Sequence, residues 1–434
     1  VLLDGVPLNE PGGSLDLSAL TLDNIERIEL VRGPSSVLYG ADAVTGVIQL
    51  VSRAAATPGR SGAMLVDAGS FGQRGVALSG SAATARASLT SSLADRAADG
   101  ILPFNNRYRN QTAGAALHLT PNARTEATFS ARLQAASYHY PTKPDGSIRD
   151  HNAVNSTGRV VLAFSGRRDV GSRFSASWAI TSGEHRPRTD DAPDSPGDTL
   201  GFYGFTSRGT VTRRAANVQL TAHAGLTQVL TLGAESARDH ERSSSVSLSQ
   251  YGVDSGTFVA SRSDRALYAQ AVGGVGRRGS YQVGARVDDN SAFGSFRTLR
   301  VALAWQLSRD WRVRTAAGSA FRAPSFFENF ATGYVRGNAR LVPEQSRSRE
   351  VGVDGAFGKL TLGLSVFQQR FRDLIQYAAV TATPTAPNYV NVAGANADGL
   401  EADASAPLPL GARVRLTYAY TRTYVTDAGV DNGE

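Results

Sequence analysis

From about residue 60 onward the chain alternates. In Leu299, Val301, Leu303, Trp305 and Leu307 every second residue is apolar, with Thr298, Arg300, Ala302, Ala304 and Gln306 between them. The same rhythm runs through Phe174, Ala176, Trp178 and Ile180, through Thr125 to Leu133, and through Val414, Leu416, Tyr418 and Tyr420. Period two means a strand with one apolar and one polar face. About 17 such strands fit between residues 62 and 425. Tight connections are predicted at Pro121-Asn122, Gly166 to Val170, Gly225-Leu226, Gly276 to Gly279, Arg309-Asp310, Gly358-Lys359 and Pro407 to Gly411. Longer ones alternate with them near 97–106, 138–154, 186–206, 243–262, 321–345 and 378–395, and only the one near 290–296 is short for its class. That alternation suits an up-and-down antiparallel barrel with one plain and one elaborated rim. Many strands run to ten residues or more, the length needed to cross hydrocarbon at a tilt. Soluble sandwich strands are typically half as long.

Residues 1–55 have a different texture. Val1 to Leu3 reads as a strand ended by the turn Asp4-Gly5, and Ile25 to Val31 as a second strand. Gly33-Pro34 breaks it, Pro34 opens a short helix over Ser35 to Tyr39, Gly40 ends that helix, and Gly46 to Val51 forms a last strand.

The run IERIELVRGPSSVLYG followed by GVIQLVS, with LLDGVPL before it, resembles the plug domain of TonB-dependent outer-membrane receptors. The later runs Ala320-Phe321-Arg322-Ala323-Pro324, Pro343-Glu344-Gln345-Ser346 and Glu350-Val351-Gly352 are similar to that family's barrel signature, as are Phe371-Arg372-Asp373-Leu374-Ile375 and Gly399-Leu400-Glu401. Ser70-Phe71-Gly72-Gln73-Arg74 and the strand lengths look most like the cobalamin and catecholate-siderophore receptors. The resemblance implies an all-β fold: a transmembrane antiparallel up-and-down β-barrel, partial at about 17 of the family's 22 strands. Its lumen would hold the C-terminal half of a small α+β plug. Residues 1–55 would be the plug part and 56–434 the partial barrel. The chain is expected to be a fragment at both ends, closing in a loop at Asp431 to Glu434 and not folding alone. Implied partners are the TonB energy-coupling complex (through an N-terminal segment not present), outer-membrane lipid, and a metal chelate or cobalamin. The protein would act as a monomer in a Gram-negative outer membrane.

Composition adds exclusions. There is no cysteine, so no disulfide and no Cys-based zinc site. The net charge is +7, carried almost wholly by arginines scattered singly, without a nucleic-acid-binding motif. No apolar run approaches the length of a membrane helix. No catalytic residue is proposed: nucleophile-elbow, HExxH and P-loop motifs are all missing, and the six histidines are dispersed.

The resemblance points to a plug motif made of Glu26, Arg27, Glu29, Arg32, Gly33, Pro34, Tyr39, Gly40 and Gly46. Its charges are expected to pair weakly with the plug-facing barrel charges Arg349, Glu350 and Glu401. Candidate ligand contacts on long loops are Tyr138, His139, Tyr140, Phe202, Tyr203, Phe205, Phe326, Phe327 and Tyr334, whose rings suit either stacking on a ligand or an interfacial girdle. Asp190, Asp191, Asp194 and Asp198 crowd one loop. A calcium site there is weighed against a solvated turn, which the spacing favours. The function expected is energised uptake of a ferric siderophore or cobalamin. The alternatives are a passive porin, against which residues 1–53 argue, and a soluble β-rich surface-binding protein.

Overall fold

The computed structural model describes residues 1–13, 15–54, 57–143, 146–225, 227–379, 383 and 385–427. The terminal loop expected at 431–434 lies outside them.

The chain opens with a small unit of four strands and one helical turn: β1 (Leu2–Leu3), β2 (Val6–Pro7), β3 (Ile25–Arg32), α1 (Ser36–Tyr39) and β4 (Gly46–Ser52). Its sheet order is β2-β1-β4-β3. Seventeen long strands follow: β5 (Gly59–Ala68), β6 (Arg74–Ala83), β7 (Ala87–Ala98), β8 (Tyr108–Asn122), β9 (Thr125–His139), β10 (Val154–Val170), β11 (Phe174–Asp191), β12 (Phe202–Ala224) and β13 (Gln228–Ser249). Then come β14 (Gly252–Val275), β15 (Gly279–Asn290), β16 (Gly294–Gln306), β17 (Trp311–Arg322), the short helix α2 (Phe326–Phe330), β18 (Glu344–Phe357), β19 (Leu360–Tyr377), β20 (Tyr389–Pro407) and β21 (Arg413–Asp427).

Each strand pairs antiparallel with the next, and the strand order closes into a barrel where β21 returns to β5. An odd number of strands separates the two ends of this order. It makes β5 and β21 run in the same direction across the seam. Among the described residues the residue-by-residue ladders run from β5 to β21 without joining those two, and both strands are exposed along nearly all their length.

The outward face is apolar. Leu267 is 69 % exposed, and Leu303, Trp305, Tyr418 and Tyr420 are all about half exposed or more. In water such a belt would drive association; facing lipid it has no such cost. Among the described residues no helix is long and apolar enough to cross a membrane.

Several connections differ from expectation: Pro121-Asn122 ends β8, β11 and β12 enter the stretch 186–206 as far as Asp191 and from Phe202, and β20 enters 378–395 at Tyr389. Gly166 to Val170 is the end of β10, and the turn follows at 171–173. The stretch 243–262 is not a loop: β13 and β14 continue as paired strands to a turn at Gln250-Tyr251. Ser243, Ser244, Ser245 and Ser247 read as loop residues because both strand faces turn polar there. The ladder nevertheless satisfies their backbone, so the hairpin extends beyond the apolar band.

The core of the N-terminal unit is shared with the wall. Leu3, Val6, Leu8 and Leu50 pack with Val161 and Ala163 on the inward face of β10. Burying each such Leu or Val contributes about 1.5–3 kcal/mol, so the unit is held inside the barrel by the same contacts that make its core. On the far side, α1 lies against β14 to β17. Gly284 on β15 makes that approach possible: a Cβ there would stand 2.8 Å from Val37 of α1.

Candidate functional site

The lumen is occupied by the N-terminal unit, and arginines from the wall hold its backbone. Arg132 on β9 donates to the carbonyls of Asp23 (2.8 Å) and Thr21 (3.0 Å). Arg300 on β16 donates to the carbonyl of Pro34. Asn110 on β8 donates to the Ala19 carbonyl at 2.7 Å, and Gln134 on β9 reaches the same oxygen. Asp23 is the main side chain the unit contributes in return, bonded to Arg96 at 2.9 Å. Burial pushes the Asp23 carboxyl up, but the bond and charge of Arg96, the Thr21 hydroxyl and the charge of Arg132 together hold it below its ordinary range.

The long-loop end carries a tighter lock. Arg322, the last residue of β17, donates to the Gly12 carbonyl while gripping Glu344 (2.7 Å) and Glu328 (3.1 Å). Glu328 also closes a capping box with Ser325 at the start of α2. Gly12 has φ +72°, and a Cβ would fall 2.3 Å from the Ala323 carbonyl oxygen, so only glycine fits between unit and wall. Beside it Asp42 accepts from the Gly12 amide at 3.2 Å, and its own amide donates to the Phe321 carbonyl. Burial pushes the Asp42 carboxyl above its ordinary range, against the pull of Arg262 and Arg213. Its Oδ1 has no hydrogen-bond partner among the described residues. Behind α1, Arg286 is buried, bonded to Asp288 at 2.8 Å and Glu235 at 3.2 Å. Glu10 reaches His185 on β11 at 3.0 Å.

The residues singled out from sequence distribute unevenly over this interface. Arg32 on β3 meets Glu401 on β20 at 2.5 Å, a bridge from unit to wall. Arg27 pairs with its own neighbours, Glu29 at 2.7 Å and Glu26 at 3.8 Å, on an exposed face. The expectation that these three pair with lumen charges is corrected: among the described residues their ion pairs are with one another. Gly33, Gly40 and Gly46 mark the bends around α1, Pro34 offers its carbonyl to Arg300, and Tyr39 ends α1 partly exposed. Glu350 is bound by Arg314, its neighbour on the wall, rather than by the unit. Arg349 is also corrected. Ser346 is buried and Glu350 faces inward, so the odd residues of β18, Arg349 among them, point outward.

The aromatics gather at the long-loop rim. Tyr138 faces inward and its hydroxyl accepts from Asn155, while Tyr140 lies just beyond it with ring centroids 6.1 Å apart. His139 turns the other way, to Asn105. Phe202 meets Tyr334 edge to face at 5.4 Å. Phe205 is partly exposed and Tyr203 half-buried at the start of β12. Phe327 is exposed and touches Phe258 and Tyr389, and Tyr389 touches Tyr377. Of these partners, Phe258 and Tyr377 had no distinguishing mark in the sequence, while Tyr389 opens the family-like run Tyr389-Val390-Asn391. Phe326 is a correction: it is 1 % exposed beneath Arg262, so it is a structural ring.

The acidic loop is organised around a lysine. Lys143 Nζ lies 3.0 Å from Asp150, 3.0 Å from Asp194 and 3.9 Å from Asp198. Asp190 turns away to Arg188. Among the described residues no group of three or more His, Asp and Glu is arranged to hold a metal ion. Asp194 and Asp198 of this loop thus gather with Asp150 around one ammonium, and Asp191 feels the charges of the same cluster. Burial pulls the Lys143 ammonium down, but Asp150 and Asp194 beside it and the charge of Asp191 together hold it above its ordinary range.

Comparison with known proteins fits this geometry. Residues 78–434 match the family described as "TonB dependent receptor-like, beta-barrel", and residues 1–47 match "TonB-dependent Receptor Plug Domain". The chain is 25 % identical over 390 residues to the vitamin B12 transporter BtuB of Vibrio vulnificus, covering 86 % of this chain and 59 % of that protein. It is 26 % identical over 415 residues to BtuB of Photobacterium profundum, covering 92 % and 63 %. It thus spans less than two thirds of the length of these relatives. Among solved structures, the copper transporter OprC superposes with a TM-score of 0.80 at 15 % identity, covering 97 % of this chain and 71 % of that one. The ferric yersiniabactin uptake receptor FyuA of Yersinia pestis gives 0.77 at 16 %, covering 98 % and 70 %. A point mutant of the ferric enterobactin receptor PfeA of Pseudomonas aeruginosa gives 0.76 at 16 %, covering 97 % and 71 %.

Proposed function

The chain belongs to the TonB-dependent receptors of the Gram-negative outer membrane, and from that premise we propose that it serves energised uptake of a scarce ligand, cobalamin or a ferric siderophore. One observation carries the reading. A folded plug fills the lumen, and much of its hold on the wall is made of hydrogen bonds from guanidiniums to backbone carbonyls. A passive porin has no use for such an obstruction.

Charge-assisted bonds of this kind contribute roughly 1.5–3 kcal/mol each. Exposed ion pairs such as Arg32–Glu401 contribute about 0–1 kcal/mol. Broken one after another, they yield to a directed pull; broken all at once by thermal motion, they do not. The partner supplying that pull is the TonB energy-coupling complex. Ligand enters from the rim of Tyr138, Phe205, Phe327 and the Phe202–Tyr334 pair and rests above the plug loops at Gly12 and Asp42. The rings give flat apolar surface to a planar ligand.

The test is uptake of labelled cobalamin and labelled ferric siderophores by cells expressing the receptor, with and without a working energy-coupling complex. One of these probes accumulates only in energised cells. Equal accumulation of every probe in cells lacking the complex rejects active transport.

A further inference from the structure

The outward face of β18 and β19 changes character abruptly. Val351 and Val366 stand directly opposite one another, each more than half exposed, and belong to the apolar band. The next outward pair toward the long-loop end is Arg349 and Gln368, then Arg347 and Arg370, then Gln345 and Arg372. Each step of two residues advances about 6–7 Å along the strand. Four exposed guanidiniums therefore stand just above the edge of the hydrocarbon band, on the side of the elaborated rim, which is the outer side of such barrels.

Among the described residues none of the four makes an ion pair. The carboxylates nearest to them in the ladders are engaged elsewhere. Asp398, opposite Gln368, accepts from it at 3.0 Å and lies beside Arg422 of β21. Asp373 accepts from Gln345 at 3.1 Å. Arg347 and Arg370 are direct cross-strand partners, an arrangement in which like charges repel. The same opposition recurs on the outward face at Arg214 and Arg238. Charge placed this way is unfavourable unless an anion outside the protein bridges it.

The zone just beyond the hydrocarbon is where lipid headgroups lie, and the guanidinium fork matches phosphate in a bidentate way. We propose that Arg347, Arg349, Arg370 and Arg372 form a binding site on the outside of the barrel for the phosphate groups of an anionic glycolipid in the outer leaflet. This holds whichever ligand the receptor carries through its lumen.

The test is native mass spectrometry of the folded receptor in detergent, titrated with bis-phosphorylated lipid A, its dephosphorylated form, phosphatidylglycerol and inorganic phosphate. Folding is checked by heat-modifiable gel mobility. The parent binds the phosphorylated glycolipid in preference to the other three. The variant carrying R347Q, R349Q, R370Q and R372Q binds it at least about tenfold more weakly, and the corresponding four-lysine variant retains part of the binding. Should the glutamine variant not fold, the ligand comparison on the parent decides. Equal binding of phosphorylated and dephosphorylated glycolipid overturns the proposal, as does unchanged binding by a folded glutamine variant. Equal affinity for phosphatidylglycerol, or displacement of the glycolipid by millimolar phosphate, would also assign the patch to another anion and overturn it.

Discussion

Much of what holds the plug is arginine on the wall meeting carbonyl oxygen on the plug, and this decides what a single substitution should do. Arg322 joins Gly12 to Glu344 and Glu328. Arg322→Ala removes a charge-assisted set contributing about 1.5–3 kcal/mol and leaves two carboxylates without their cation. Hydrogen exchange at the Gly12 and Gly13 amides should rise about ten- to a hundred-fold while the barrel strands stay protected. Unchanged exchange would mean the lock lies elsewhere. Asp42 makes the same junction sensitive to pH. Burial gives its carboxyl a stronger hold on the proton in the docked plug than in the unfolded chain. Its support for docking is complete below the ordinary carboxylate range and is lost as pH rises through its raised value. Plug protection in the parent should therefore fall across that window, and Asp42→Asn should flatten the fall; parallel profiles for the two would exclude Asp42. None of these arginine contacts was legible in the sequence. A carbonyl acceptor has no residue type, so an argument from complementary charges could reach only Arg32 and Glu401 among the expected pairs. Arg349 was misplaced because a one-residue change of parity reverses a strand's face.

Elements were far more legible than contacts. Period-two alternation located the barrel strands because an outward position meets lipid and an inward one meets water or plug, and every residue reports one or the other. The signal failed where both faces become polar, as in the serine-rich tops of β13 and β14. It also could not show that Lys143 lies among Asp150, Asp194 and Asp198, since the loops at 140–153 and 192–201 are joined only in space. Lys143→Ala should release both loops, with faster proteolytic nicking between β9 and β10 and between β11 and β12. Added calcium should leave the parent's nicking rate unchanged. Calcium-dependent protection of the parent would instead favour a metal among these carboxylates.

At the scale of the whole molecule, the apolar band turned outward and the plug held inward are one arrangement. The barrel supplies part of the plug's core through Val161 and Ala163. The plug in turn fills a lumen that would otherwise be an aqueous channel. The proposed transport requires that plug and wall separate or slide. The chain lacks cysteine, so a single engineered pair can fix them together without side reactions. Pro34 of the plug and Gly318 of β17 suit this: a Cβ on Gly318 would stand 3.5 Å from the Pro34 Cβ, within the range a disulfide spans. The decisive measurement is uptake of the parent's transported ligand by energised cells expressing the P34C/G318C receptor, with disulfide formation verified by gel shift. Oxidised cells should lose uptake and regain it on reduction. Uptake at the parental rate with the disulfide intact would contradict a plug that must move against this wall.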